Sequence, residues 1–279
     1  MNPCQKTIVI TGSNSGIGKE AAVLLAREGH SVVMLNREGE KSKQALQDIR
    51  ERSGGSDVTF IPVDLSEPAS VREAVNFVKK SHPVVDVLIS NAGVFHIKRE
   101  ENSQGIEVSF AVNFLAPYML SRLLLDNVAA GGNGRIINVV SEMYRKGKIE
   151  TDDPMMTKRY RGQQAYANAK RACVMDSLAL AERIRGRGVN LNALHPGLLA
   201  TSAFRDYPAF LVKFLNLFLE HPKKGGERIL HLALSDERKD LTGTYVYRDE
   251  PRLLEWSKEE LIRFEQLLRL AEQQTGVTP

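Results

Sequence analysis

An α/β fold, with a doubly wound, mostly parallel seven-stranded sheet and helices on both faces, is predicted from three features of the chain. Short runs rich in Val and Ile, apolar on both faces, recur along it. Amphipathic spacers of helical length separate them. No Pro/Gly/Ser linker, low-complexity tract or repeat breaks the alternation, so residues 1–279 are read as one domain.

The strands are expected at 7–11 (TIVIT), 31–35 (SVVML), 58–63 (VTFIPV), 85–90 (VDVLIS), 135–141 (RIINVVS) and 189–195 (VNLNALH). Each is too apolar to have a solvated face, as buried parallel strands are. Helical periodicity fills 16–28, 40–52, 68–80, 104–128 and 165–185. After His195 the pattern loosens into an apolar helical stretch, then KKGGERILHLALS as another helix, a seventh strand at GTYVY and a closing helix near 258–272. In such a sheet ligands collect at the carboxyl ends of the strands, so the residues just after each strand carry most of the information.

Composition narrows the function classes. The apolar share of 42% and charged share of 26% are those of an ordinary globular protein. The formal charge of +4 comes from 38 basic and 34 acidic residues with no long basic run, so no nucleic-acid partner is expected despite a pI near 9.0. RYRGQQ is the nearest approach to a basic stripe and is too short. The two cysteines, Cys4 and Cys173, lie far apart, and the amino-terminal sequence runs straight into a strand without a leader. A reducing, cytoplasmic setting is therefore expected. No window holds about 18 uninterrupted apolar residues, so no transmembrane segment is predicted. The apolar segment at 204–219 carries Arg205, Asp206 and Lys213 and reads as core, as a substrate lid or as a peripheral membrane contact. The histidines form no metal-spaced cluster, and no metal is predicted.

The turn TGSNSGIGKE follows the first strand and opens the first helix. Gly12, Gly16 and Gly18 let the backbone turn sharply and approach a pyrophosphate, and the helix amino terminus offers free N–H groups. Ser13, Asn14 and Ser15 add side-chain donors, and Ile17 lies within the same turn. The second strand ends in Asn36 and Arg37. A carboxylate there would bind both adenosine-ribose hydroxyls and repel a 2′-phosphate, whereas a guanidinium attracts one. NADP(H) is thus favoured over NAD(H). Asp64, followed by Leu65, ends the third strand where a carboxylate could meet the adenine amino group, and Asn91, Ala92 and Gly93 let a ribose approach after the fourth.

Ser141 emerges from the fifth strand, and QQAYANAK begins the next helix with Tyr166 and Lys170. Four residues along a helix is roughly 400° of rotation and about 6 Å of rise, so both side chains leave one face. A free phenol has a pKa of about 10 and is a poor proton donor at neutral pH. An ammonium about 4 Å from the phenolate, at an effective dielectric of about 20, stabilises it by roughly 4 kcal/mol. That is about three pK units, before desolvation erodes it, and enough to bring a phenol towards working pH.

Taken in order, Thr11-Gly12-x-x-x-Gly16-x-Gly18, Asn91-Ala92-Gly93, Asn113, Ser141, Tyr166-x-x-x-Lys170 and Pro196-Gly197 resemble the short-chain dehydrogenase/reductase family over nearly the whole chain. The HPG sequence, the LNR ending of the second strand and the 25-residue step from Ser141 to Tyr166 are similar to its retinol-dehydrogenase-like branch. The resemblance implies a Rossmann-type fold and an active tetrad of Asn113, Ser141, Tyr166 and Lys170. It implies that Tyr166 exchanges a proton with the substrate oxygen, that Ser141 holds that oxygen, and that Lys170 binds the nicotinamide ribose. Asn113 would hold a water linking Lys170 to solvent, and Pro196, Gly197 and Thr201 would contact the nicotinamide. A substrate lid is implied at about 198–222, a lipophilic alcohol or carbonyl as substrate, and homodimers or homotetramers as assemblies. Ser90 stands where the family more often has asparagine. His195 reads as a structural residue packed beside the cofactor rather than a base, and Glu142, Met143 and Tyr144 as open candidates for the substrate wall. The alternative to an enzyme is a non-catalytic, redox-sensing NADP-binding protein. It predicts a damaged tetrad, and no member is missing.

Overall fold

The computed structural model describes residues 5–55, 57–197 and 221–279. Its strands are β1 (Thr7–Thr11), β2 (Ser31–Asn36), β3 (Val58–Pro62), β4 (Val87–Ser90), β5 (Gly134–Val139), β6 (Val189–His195), β7 (Thr244–Tyr247) and β8 (Glu250–Arg252). They form one sheet in the order β3-β2-β1-β4-β5-β6-β7-β8. All neighbours pair in parallel except β7 and β8. The expected seven strands are thus present, and the sheet gains an eighth, a three-residue hairpin return. Arg248, at φ 59°, makes the tight reversal between β7 and β8. Pro251 sits in β8 without harm because an edge strand has one side free of the ladder.

The helices cover both faces. Helices α1 (Gly16–Arg27), α2 (Glu40–Arg52) and α8 (Pro222–Leu234) share one apolar layer with the sheet, through Ala21, Val23, Ala45, Ile49, Ile229 and Leu232. On the other face lie α3 (Pro68–Ser81), the short α4 (Val108–Phe110), α5 (Ala116–Leu123), α6 (Leu125–Ala129), α7 (Gly162–Arg183) and α9 (Lys258–Thr275). Alternate residues of β1 to β7 feed the two layers: Ile8 and Ile10 enter one, Val9 the other. The strands inside the sheet therefore have no wet face, which is why their sequences do not alternate with polar residues, whereas the edge strand β8 is exposed.

The single helix expected over 104–128 is instead segmented. Between α4 and α5 the backbone makes a π-helical turn, Ala111–Leu115. Pro117 supplies the reason, since it has no N–H for the carbonyl of Asn113 four residues back. The start of α4 is fixed by Glu107, 1% exposed, whose carboxylate accepts from the N–H groups of Ser109 (2.9 Å) and Phe110 (2.7 Å).

The chain runs outward from β1 through β2 to β3, then returns to the far side of β1 as β4. That reversal leaves a crevice beyond the carboxyl ends of β1 and β4, where ligands of doubly wound sheets sit.

Candidate active site

A cleft of about 810 Å³ opens at that crevice. Its walls include Gly12, Asn14, Ser15, Gly16, Ile17 and Gly18 from the first turn, and Asn36 and Arg37 from the end of β2. Asp64, Leu65, Asn91, Ala92, Gly93, Ser141, Tyr166, Lys170, Pro196 and Gly197 complete the expected set along it. Two expected residues lie just behind the wall. Ser13 is fully buried and accepts a hydrogen bond from the Asn36 amide at 3.1 Å. Asn113 is also fully buried, on the π-helical turn. Thr201 and the expected lid lie outside the described residues, apart from the lid's last two, His221 and Pro222.

The glycine turn is held by the strand beside it. Thr11 Oγ1 accepts from the backbone N–H groups of Asn91 and Ala92, both at 3.0 Å. The Asn91 amide donates to the carbonyls of Thr11 (3.0 Å) and Gly12 (3.1 Å). A methyl on Gly18 would lie 2.3 Å from Asn91 Nδ2 and 2.4 Å from the Gly12 oxygen. Gly12, at φ 66°, has Ala92 Cα 2.7 Å from where its own methyl would be. The Ser15 side chain makes no capping bond at the start of α1, so the first N–H groups of that helix face the cleft uncapped. Such a turn fits a pyrophosphate.

At the β2 end of the cleft the side chain of Asn36 is buried, with its Oδ1 lacking any partner. Arg37 stands at the mouth, and Lys41, from the first turn of α2, joins it. Lys41 was not anticipated from the sequence; its place two residues into a helix that starts beside the β2 end was the available signal. Asp64 accepts from Ser66 through both the backbone N–H (2.9 Å) and the hydroxyl (2.6 Å), leaving one carboxylate oxygen towards the cleft.

At the other end, Ser141 opens a short 3-10 turn (Glu142–Lys146) and accepts from Met143 N at 3.3 Å. Tyr166 and Lys170 share the α7 face that looks into the cleft, with Lys170 Nζ 5.9 Å from the centre of the Tyr166 ring. Lys170 is 4% exposed and donates to the Val139 carbonyl at 2.9 Å. Phe95 packs edge-on against Tyr166, with ring centres 6.0 Å apart. Both arms of the Asn113 amide are engaged: Oδ1 accepts from Val94 N (3.0 Å) and Nδ2 donates to Val94 O (2.8 Å). Gly93 fits between this amide and the lysine, because a methyl there would stand 3.0 Å from Asn113 Oδ1 and 3.5 Å from Lys170 Nζ.

Glu142, Met143 and Tyr144 are not part of the cleft wall. Tyr144 is buried against Tyr245 and Trp256, and the Tyr245 hydroxyl donates to the Glu142 carboxylate. The cleft wall also includes Val94, Phe95, His96, Glu100, Val108 and Val112, none of them among the expected set. The run Val94–His96 directly after Gly93 was a readable hint, whereas Val108 and Val112 reach the cleft only because the helical stretch begins where it does. His195 lines the cleft too, 3% exposed. Burial, the largest cause, holds its pKa below the usual histidine value. Among the described residues no group of three or more His, Cys, Asp or Glu is arranged to hold a metal ion, and no helix is long and apolar enough to cross a membrane.

These features fit a dinucleotide: a backbone cradle that any Cβ would fill, uncapped helical N–H groups for its phosphates, two cations at one end and a phenol with an ammonium at the other. Known proteins point the same way. Residues 6–210 match the family described as short chain dehydrogenase. Retinol dehydrogenase 13 of Homo sapiens is 34% identical over 249 residues, covering 86% of this chain and 75% of its own. Retinol dehydrogenase 12 of Homo sapiens is 33% identical over 242 residues, covering 86% and 77%. Among solved structures, an uncharacterised protein from Mycobacterium paratuberculosis superposes with a TM-score of 0.77 at 26% identity, over 98% of this chain and 94% of that one. A protein of Beutenbergia cavernae, provisionally assigned as an NAD(P) dependent gluconate 5-dehydrogenase and holding NADP, gives 0.69 at 26% identity, over 88% and 95%.

Proposed function

We propose, because this chain belongs to the short-chain dehydrogenase family, that it moves a hydride between NADP(H) and a lipophilic alcohol or carbonyl compound, as a single catalytic domain. As a family member it is an oxidoreductase acting on CH–OH groups. One observation carries the chemistry: Ser141, Tyr166 and Lys170 line the same cleft as the glycine turn.

The nicotinamide, when bound, supplies the hydride acceptor or donor. The residues of the chain do the rest. Tyr166 gives its phenolic proton to the oxygen of a carbonyl substrate, or takes it back from an alcohol. Lys170, on the next turn of α7, sets its ammonium 5.9 Å from the centre of the Tyr166 ring and holds ribose hydroxyls. Ser141 donates to the same substrate oxygen and fixes its position. Asn113 acts at the back of the site. Its side chain clamps Val94, and Pro117 offers its carbonyl no N–H, so that carbonyl is suited to a water between Lys170 and solvent.

The preference for NADP(H) is supported by Arg37 and Lys41, two cations at the adenosine end with no carboxylate at the Asn36 position. The lipophilic substrate is supported by the apolar residues Val94, Phe95, Val108 and Val112 of the cleft wall, Phe95 packing against Tyr166, and by the likeness to retinol dehydrogenases.

Replacing Tyr166 with Phe removes the proton and little volume. Turnover of ketones, aldehydes and alcohols, followed at the nicotinamide absorbance, should drop at least about a thousandfold. NADPH affinity should change by less than about threefold. Sustained turnover by Tyr166→Phe would refute the assignment. Running the panel with NADH in parallel tests the coenzyme, and a clear NADH preference would remove the role given to Arg37 and Lys41.

A further inference from the structure

Ser141 and Tyr166 have to meet one substrate oxygen, yet they come from separate elements, the end of β5 and the second turn of α7. The last ladder bond before Ser141 runs from Val140 N to the Leu194 carbonyl at 2.8 Å, and beyond it the chain leaves the sheet. At the Glu142–Lys146 turn, Tyr144 N donates to the Ser141 carbonyl at 2.9 Å and Met143 N to Ser141 Oγ at 3.3 Å. Those bonds shape the turn and leave the hydroxyl hydrogen of Ser141 available for donation. They do not fix the turn to α7.

Three side chains of α7 do so. Arg171 Nη1 donates to the Tyr144 carbonyl at 3.3 Å, and Gln164 Nε2 to the Lys146 carbonyl at 3.0 Å. Asn168 Oδ1 accepts from Lys148 N at 2.8 Å and from Gln164 Nε2 at 2.7 Å. Between these ties the backbone rests directly on the helix, since a methyl on Gly147 would lie 2.2 Å from the Ala167 carbonyl oxygen. Gln164, Ala167, Asn168 and Arg171 follow the i, i+3, i+4, i+7 spacing of one helix face, while Tyr166 and Lys170 project from another. None of those four lines the cleft. Arg171 is shared with Glu260 and the Trp256 ring, whereas the Asn168 oxygen serves only Lys148 and Gln164. Asn168 is 8% exposed, so solvent competes little for that oxygen.

We infer that Asn168 is a positioning residue: it clamps the Ser141 turn onto α7, so that the Ser141 hydroxyl and the Tyr166 phenol reach the same substrate oxygen. This role passes through Ser141 and so rests on the functions given above to Ser141 and Tyr166. A displacement of about 1 Å in a group that orients a reacting atom can cost about a hundredfold in rate. Without the clamp the turn keeps its hold on β7, through Tyr144 packed on Tyr245 and Glu142 bonded to the Tyr245 hydroxyl. It therefore shifts along α7 rather than unfolding.

The test compares the full wild-type chain with Asn168→Ala, Asn168→Asp and Gln164→Ala. Turnover of the best carbonyl from the panel above gives kcat and KM, and the fluorescence of reduced nicotinamide gives the Kd of NADPH. Asn168→Ala should lower kcat about ten- to a hundredfold, while the NADPH Kd stays within about twofold. Asn168→Asp keeps the accepting oxygen and should recover most of the lost kcat. Gln164→Ala cuts the neighbouring ties from a half-buried position, where folding is not at risk. It should lower kcat about threefold with NADPH affinity unchanged, the worth of one modest hydrogen bond. An unchanged kcat in Asn168→Ala would overturn the role. So would a loss of kcat matched by a loss of NADPH affinity, or one that Asn168→Asp does not recover, since either marks a general loosening of α7. If Asn168→Ala does not fold, Gln164→Ala carries the decision, and an unchanged kcat there overturns the role equally. Turnover retained by Tyr166→Phe would instead sink the underlying assignment of the acid–base residues, however the Asn168 variants behave.

Discussion

Gly18 shows how one missing carbon can set a site. Its neighbours within 2.4 Å of a would-be methyl are the Asn91 amide and the Gly12 carbonyl, which also bond each other. Gly18→Ala must therefore break that bond or push the turn outward into the space a pyrophosphate would take. The expected result is a stability loss of about 1–3 kcal/mol, as for other overpacked sites. NADPH affinity should fall at least about tenfold, readable by fluorescence titration, and a variant binding as tightly as wild type would show that the turn does not touch the cofactor. The same residue scale explains what was legible. Glycine spacing and the Tyr166–Lys170 step are local patterns, and they can be read without knowing the fold. The bonding of Asn113 to Val94 joins residues 19 apart, and nothing local announces it. Ser90 in place of the family's asparagine leaves its own hydroxyl and Asn138 Oδ1 buried without partners, side by side in the β4–β5 register.

At the scale of elements, the strand ends and the helix starts position the cofactor cleft jointly. Ser42 on α2, 1% exposed, is the joint between two of them. Its hydroxyl accepts from the Asn14 amide at 3.1 Å and donates to the Arg37 carbonyl at 2.6 Å, tying the glycine turn to the β2–α2 loop. Ser42→Ala cuts both bonds while adding nothing. NADPH should bind about three- to tenfold more weakly, the worth of one or two modest hydrogen bonds. NADH, with no 2′-phosphate for Arg37 to meet, should lose less. Equal losses for the two coenzymes would mean that the joint supports the turn alone. Elements were readable where one physical demand dominated: β1 and β6 coincide with the apolar runs TIVIT and VNLNALH, and α2 with its period. They were misread where two demands competed. Over 104–128 the apolar pattern continues through a backbone that Pro117 forces into a π turn, so periodicity reported one helix where the chain makes several pieces. Strand β8 escaped notice because three residues are too few to carry a period, and its pairing depends on the reversal at Arg248.

Across the whole molecule, the cleft draws its wall from β1 and α1, β2 and α2, the ends of β3 and β4, α7, and the end of β6. A ligand filling it bridges elements from both sides of the β1–β4 crevice, so its binding free energy adds to the stability of the entire sheet. The sequence foretold this breadth, because the glycine turn, Asn36–Arg37, Asp64, Asn91–Gly93, Ser141 and Pro196–Gly197 all fall just after a strand, and parallel strands all end on the same edge. Which side chains meet at the substrate end it did not foretell. Those depend on tertiary approach, as Glu142 shows by being taken up with Tyr245 instead of facing the cleft. A linkage measurement at this scale separates the two coenzymes. With free NADPH at a hundred times its Kd, folding should gain about 2.7 kcal/mol. For a chain of this size each kcal/mol moves Tm by about 2–4 °C, so calorimetry should show a rise of roughly 5–10 °C. If Arg37 and Lys41 favour the 2′-phosphate by tenfold, NADH at the same concentration gains about 1.4 kcal/mol, and its rise should be about half as large. Raising the salt should narrow the gap, because both cations stand at the solvent-facing mouth and are open to screening. Identical rises with the two coenzymes, unaffected by salt, would show that neither cation reads the phosphate.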